Sequence, residues 1–156
     1  MRHVLLICLT LSTLALTSCS YSTVFAVVNE SAHPIEVRYK IKRFSYEPPV
    51  FTAKPARMDA SLLGNDDRRL WKELSADQFQ IDQANRTITV SVMPHEALWV
   101  ADMFHYIGDE DPNDVADWPI EEISVNGDDG GMTFTGQKAR KSFCYVSNVL
   151  YTLTYK

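Results

Sequence analysis

The chain lacks the patterns that announce a reaction or a nucleic-acid partner. Its 15 Lys and Arg are outnumbered by 20 Asp and Glu, for a formal charge of −5. Phosphate contacts need clustered cations, so this acidic balance argues against nucleic acid, and it leaves no polybasic patch for anionic lipid. No Gly-x-Ser-x-Gly elbow or other nucleophile signature is present. His33, His95 and His105 stand too far apart in sequence for a zinc motif, which makes turn or surface positions their expected role. Cysteine is scarce: Cys8, Cys19 and Cys144 are the only three. There is no internal repeat, no long amphipathic helix, and no low-complexity linker beyond Ser20 to Thr23.

The single long apolar run lies at the start. Met1-Arg2-His3 is basic, and Val4 to Leu16 then carries no charged residue. That run is short of the about 20 residues a membrane-spanning helix needs. It fits the apolar middle of an export signal, about 7–15 residues followed by small ones. The exit, Leu16-Thr17-Ser18-Cys19, resembles the lipobox of bacterial lipoproteins: an aliphatic residue, two small residues, then Cys. The resemblance implies a diacylglycerol thioether on Cys19, cleavage before it, and acylation of the new amine. Two or more acyl chains hold a protein at a bilayer stably, at about 0.8 kcal/mol per buried methylene. In that family an Asp after the Cys often retains the protein at the inner membrane. Here Ser20 follows, so the resemblance points to the outer membrane, facing the periplasm. A plain export signal with an incidental Cys is the alternative.

The chain then divides into a signal peptide (1–18), a short lipid-anchored tether (19–23) and one domain (24–156). Removing eighteen of 156 residues leaves 138, enough for one domain with its own core. Arg2 is the only Lys or Arg lost, so the side-chain charge moves from −5 to −6. Cys8 leaves with the signal and Cys19 is consumed by lipid, so Cys144 is expected to be an unpaired, buried small hydrophobe between Phe143 and Tyr145. A Cys19–Cys144 disulfide in an unlipidated exported protein is the rival pairing.

The body of the chain has period two. Val24 to Val28 is a continuous apolar run, as expected of a strand buried on both faces. After a turn at 29–34, Ile35, Val37, Tyr39 and Ile41 alternate with charged residues, giving a strand with one wet face. These two strands form a hairpin or the first pair of a sandwich. Pro48, Pro49 and Pro55 interrupt the next stretch, where Phe51 suits a short edge strand and Met58 to Leu63 a brief helical turn. Ser75 and Gln78 have the form of a capping box, which would start one helical turn over 76–79. Alternation returns at Ile88, Val90 and Val92, then in 97–106 and 120–125. Asn126-Gly127-Asp128-Asp129-Gly130-Gly131 is the strongest turn signal, so 120–136 should be a hairpin. Strands at 143–146 and 149–155 end the chain. The pattern predicts an all-β fold, a single antiparallel β-sandwich of about seven to nine strands. The Asn29, Ser31, Pro34-Ile35, Val37 pattern resembles the opening strands of immunoglobulin-like envelope domains, without the paired Cys and core Trp of true immunoglobulin domains.

Four side-chain groupings invite chemistry. Asp109, Asp111 and Asn113 alternate as in calcium loops, but Asp114 stands where the turn wants Gly and Ile120 where the closing Glu belongs. The 109–117 run is therefore expected to be a solvated acidic loop, with a calcium site as the alternative. Asp102 and His105 would be the acid–base pair of an envelope hydrolase, if a nucleophile joined them. Lys138, Arg140 and Lys141 form a small basic patch, expected as a solvated loop. Tyr46, Trp71, Tyr106 and Trp118 lie in or beside loops and are expected to cap the sandwich ends. Two glycosylation sequons, at Asn29 and Asn85, carry no meaning in a bacterial lipoprotein.

The reading is a membrane-anchored envelope lipoprotein whose sandwich is a non-enzymatic binding or accessory module of a secretion or envelope assembly. Its partners are the membrane, through lipid on Cys19, and an envelope protein. No cofactor or metal is expected.

Overall fold

The alternating strands stack as two sheets in the computed structural model, which describes residues 20–43, 55–65, 67–106, 118–147 and 149–156, with backbone alone at 20, 21 and 104–106. Eleven strands are formed: β1 Ser20–Asn29, β2 Ile35–Ile41, β3 Ala56–Asp59, β4 Lys72–Glu73, β5 Phe79–Asp82, β6 Thr87–Val92, β7 Glu96–Tyr106, β8 Ile120–Gly127, β9 Gly130–Thr135, β10 Cys144–Ser147 and β11 Leu150–Tyr155. One sheet has the order β10-β11-β1-β7-β3-β4, the other β5-β6-β2-β8-β9. The sandwich is as expected, but eleven strands exceed the seven to nine read from the sequence. It is also not purely antiparallel. β1 and β11 run parallel, Val24 beside Leu150 through Asn29 beside Tyr155, so the six-stranded sheet is mixed.

β1 is central in its sheet, and both its faces are covered, as its unbroken apolar run requires. Phe25 and Val27 point into the space between sheets, with Val37, Ile88, Leu98, Ile123 and Val125. Val24 and Ala26 point outward, beneath Leu63, Trp71 and Trp99. Val28 does the same with Met58 and Ala97. The cover over this outer face is the 60–71 segment, two short 3-10 turns each capped by an aspartate, Asp59 to the Ser61 N–H and Asp67 to the Arg69 N–H. Burial of each such aliphatic or aromatic side chain contributes roughly 1.5–3 kcal/mol.

Several local expectations change. β1 and β2 are not a hairpin; the turn between them crosses from one sheet to the other, the second of the two forms expected. β1 reaches back to Ser20, into the stretch read as a tether. Met58 belongs to β3, and only Ala60–Leu62 is helical. Only half of the Ser75–Gln78 box forms: Gln78 Oε1 accepts the Ser75 N–H at 2.9 Å, but the Gln78 N–H bonds the Ser75 backbone O at 2.9 Å while Ser75 Oγ donates to Asp77 and Gln78. It closes a turn into β5 rather than a helix. The 120–136 hairpin is β8 and β9, and the last two strands pair antiparallel. Phe51 and Tyr46 lie outside the described residues.

The two ends of the sandwich are built differently. At the far end, where β1 stops, the turns 30–34, 93–95 and 127–130 meet around Asn29. Its side chain is fully buried. The amide donates to His33 O at 2.9 Å and Val92 O at 3.0 Å, and its Oδ1 accepts from the Ser31 N–H at 3.0 Å and hydroxyl at 2.7 Å. Tyr155 donates its hydroxyl to Gly130 O at 2.9 Å, tying β11 to the β8–β9 turn. A Cβ on Gly127 would come within 2.7 Å of that hydroxyl, so this glycine is a packing requirement.

At the near end, where β1 begins, the helix Gln137–Lys141 closes the gap between sheets. This is the stretch expected as a solvated basic loop. Lys138 and Lys141 are exposed, but Ala139 and Arg140 are buried. The Arg140 guanidinium lies 4.6 Å from the Phe25 ring and 4.5 Å from the Tyr151 ring, with Trp118 at 5.9 Å. Arginine tolerates such a site because its planar, weakly hydrated cation stacks on aromatic faces.

Candidate functional site

Cys19, the residue the sequence marks for lipid, lies outside the described residues, but its attachment point does not. Ser20 is already in β1, paired with Tyr106 of β7. Consecutive Cα atoms are about 3.8 Å apart, so residue 19 sits one step from a hydrogen-bonded ladder in the middle of the six-stranded sheet. The tether residues Ser22 and Thr23 are likewise fixed by register, opposite Phe104 and Met103. Arg68 reinforces this start, donating from its guanidinium to Ser22 O at 2.8 Å.

Asp102 and His105 are on the same strand. The Asp102 carboxylate accepts a hydrogen bond from Ser22 Oγ at 3.3 Å, and His105 is in register with Tyr21. The His105 side chain lies outside the described residues. The 109–117 acidic run lies outside the described residues. His33 and His95 are both exposed at the far end, His33 within 3.8 Å of Asp128. Among the described residues no group of three His, Cys, Asp or Glu is placed to hold a metal ion.

Cys144 is exposed, not buried. It opens β10, the edge strand, in which Tyr145 and Val146 are exposed as well. The buried neighbour is Phe143, edge-on to Phe25 and Trp118. Of the loop aromatics, Trp118 caps the near end against Phe25, ring centroids 4.8 Å apart. Trp71 instead covers the outer sheet face, edge-on to Trp99 at 5.5 Å. The Tyr106 side chain lies outside the described residues.

Among the described residues two concavities stand out. A cleft of about 110 Å³ lies between the 60–71 cover and β1, walled by Val24, Met58, Leu63, Trp71 and Leu150 with Arg68 at its side. Its one charged lining group is already engaged, by Ser22 O and by the Trp99 ring at 5.3 Å. An open hollow of about 650 Å³ lies over the five-stranded sheet, lined by Glu36, Asp77, Gln80, Ser91, Asn126 and others, with no Lys or Arg. Such a lining hydrogen-bonds a polar partner and contains no nucleophile–base pair.

Titration adds little chemistry. Burial pushes the Tyr39 phenol up, which keeps it neutral in the core. Asp59, Asp67, Asp77 and Asp82 are held below the ordinary carboxylate range, chiefly by hydrogen bonds from Ser61, Arg69, Ser75 and Asn85. Asp59 and Asp82 end strands β3 and β5, and Asp67 and Asp77 lie between strands. Sequence reasoning missed Asn29 as a hub and Arg140 as a buried cation. For Asn29 the signal was present, an Asn two residues before Ser at a strand end, the form of an Asx turn. Among the described residues no helix is long and apolar enough to cross a membrane.

Comparison with protein-family models, with curated proteins and with solved structures finds no match to this chain.

Proposed function

We propose that this chain is a cell-envelope lipoprotein, anchored by lipid on Cys19, whose β-sandwich is a non-enzymatic binding or accessory module of an envelope or secretion assembly. The observation that carries the reading is the order of parts. A basic start, an uncharged run and Leu16-Thr17-Ser18-Cys19 are followed within one residue by a strand of the folded domain. Ser20, the first described residue of that strand, directly follows the expected lipidation position. The outer membrane, periplasmic side, is the proposed location, from Ser20. Engagement of a protein partner uses sheet edges or end turns; the edge strand β10 and the far-end turns are both largely exposed.

We also infer an immunoglobulin-like arrangement. Its support is the short crossing from β1 to β2 between the two sheets and the core shared by the two.

The test is membrane fractionation of the native protein and of Cys19→Ala. The native chain should float with membranes, carry an acyl mass on Cys19, and accumulate as unprocessed precursor under globomycin. Cys19→Ala should become soluble. A mutant still firmly bound refutes the anchor.

A further inference from the structure

The lipidated residue and the fold are so close that the anchor fixes an orientation. We infer that the end of the sandwich at which β1 begins rests against the phospholipid headgroups, and that the turns 30–34, 93–95 and 127–130 stand away from them. This rests on the lipoprotein reading above.

A flexible linker would let a domain tumble over its anchor. Here β1 takes over at Ser20, and Ser20 to Thr23 are laddered to β7. The strand is central in its sheet and held on its other side by β11 from Val24 onward. Ten residues at about 3.3 Å each make β1 about 30 Å long. The far-end turns therefore stand roughly that distance above the lipid surface. β2, running antiparallel across the sandwich, brings Lys42 to the near end, where its N–H bonds Pro119 O at 2.7 Å. The exposed Lys138 and Lys141 of the capping helix are there too.

Charge is not what orients the domain. Lys42, Arg43, Lys138 and Lys141 are cations at the near end, and Lys40 and Arg86 there both reach Glu121, at 3.0 and 3.3 Å. Two of these six cations are thus engaged by Glu121, and the chain as a whole is acidic at −5, so headgroup attraction is weak. The orientation follows from the covalent anchor and the stiffness of the sheet, and so survives salt.

The experiment uses the lipidated full-length product, purified in detergent and returned to phosphatidylethanolamine–phosphatidylglycerol vesicles bearing a headgroup quencher. A fluorophore is placed on Lys138→Cys or Asp128→Cys, each with Cys144→Ser; both sites are exposed. The label at 138 should lose emission and the label at 128 should not. The contrast should persist in about 1 M salt, where the screening length is about 3 Å. Flotation with equal quenching at both sites, or with 128 quenched more, overturns the orientation and leaves the anchor standing. A contrast that vanishes in salt overturns the argument from the tether. Failure to float overturns the lipoprotein reading, and this inference with it.

Discussion

Asn29 offers the sharpest test of how the far end is held. Replacing it with Ala removes four side-chain hydrogen bonds, two donated and two accepted, at 2.7–3.0 Å. Ser31 and His33 lie near solvent and would recover water. The Val92 carbonyl belongs to a residue that is almost fully buried. Each lost bond costs about 0.5–1.5 kcal/mol net, and a buried group left unpaired costs about 1–3 kcal/mol. Because the re-solvated groups recover most of their share, the expected loss is about 2–4 kcal/mol. Urea unfolding of a form lacking residues 1–18 and carrying Cys19→Ala reads it directly. Asn29→Asp has the same shape but loses both donors and places a charge in a buried site. It should be at least as damaging at neutral pH. Its deficit should shrink as the pH falls, because protonation removes the charge and restores one donor. If both variants unfold within about 1 kcal/mol of the parent, the hub argument is wrong.

Gly127→Ala should cost about 1–3 kcal/mol, because its Cβ must displace the Tyr155 ring; in Tyr155→Leu/Gly127→Ala, with the ring gone, that cost should be smaller, as a double-mutant cycle in urea would show. His95 sits at φ +62°, with its N–H bonded to Asn29 O and its carbonyl to the Ala60 N–H, both at 2.8 Å. The left-handed conformation costs a non-glycine residue about 1–2 kcal/mol, so His95→Gly should gain up to about 1 kcal/mol and His95→Val should lose stability. Asp59, Asp67, Asp77 and Asp82 have depressed folded-state values, so each contributes stability that is present above the unfolded value, near pH 4, and fades as the pH falls through the folded one. Melting temperature should hold from neutrality to about pH 4 and drop below it, less steeply in Asp67→Asn; a rise on acidification would contradict the sign.

Strands that alternate were legible because one face is buried and the other wet. β2 and β6 show this directly, with Ile35, Val37 and Tyr39 set against Val92, Val90 and Ile88 in register. β4 and β5 were not legible. β4 has two residues, both exposed, and of β5 only Phe79 is even partly buried. Neither has a periodic signal to read. The β1–β11 parallel pair was hidden for a different reason: it joins the first strand to the last, and nothing local in either specifies which neighbour it takes. The misreadings of Cys144 and Arg140 are both about edges. Phe143-Cys144-Tyr145-Val146 looks like a core run by composition, yet only Phe143 is inside, since β10 has a neighbour on one side only among the described residues. Arg140 looks like part of a cationic patch, yet a one-turn helix turns it inward beside Ala139. The candidate anchor is read by composition and spacing rather than by packing, and its residues 1–19 lie outside the described ones.

The two ends of the sandwich also differ in what a change of sequence would do. The near end is closed by packing, with Arg140, Trp118 and Phe143 gathered on Phe25. Such a cluster accepts volume-conserving substitution with modest loss. The far end is closed by directional bonds at Asn29 and Tyr155 and by special backbone at His95 and Gly130. Those positions admit few alternatives, and they fix the geometry of three turns relative to one another. Turns held this tightly stabilise the domain whatever its role. A module that presents those turns to a partner needs them pre-ordered, because every residue already fixed lowers the entropy lost on binding. On the anchored reading, the rigidly built end is also the end that stands clear of the lipid. On the proposed reading, that end is the one a partner would meet, and the order of its turns is set by bonds already made at Asn29 and Tyr155.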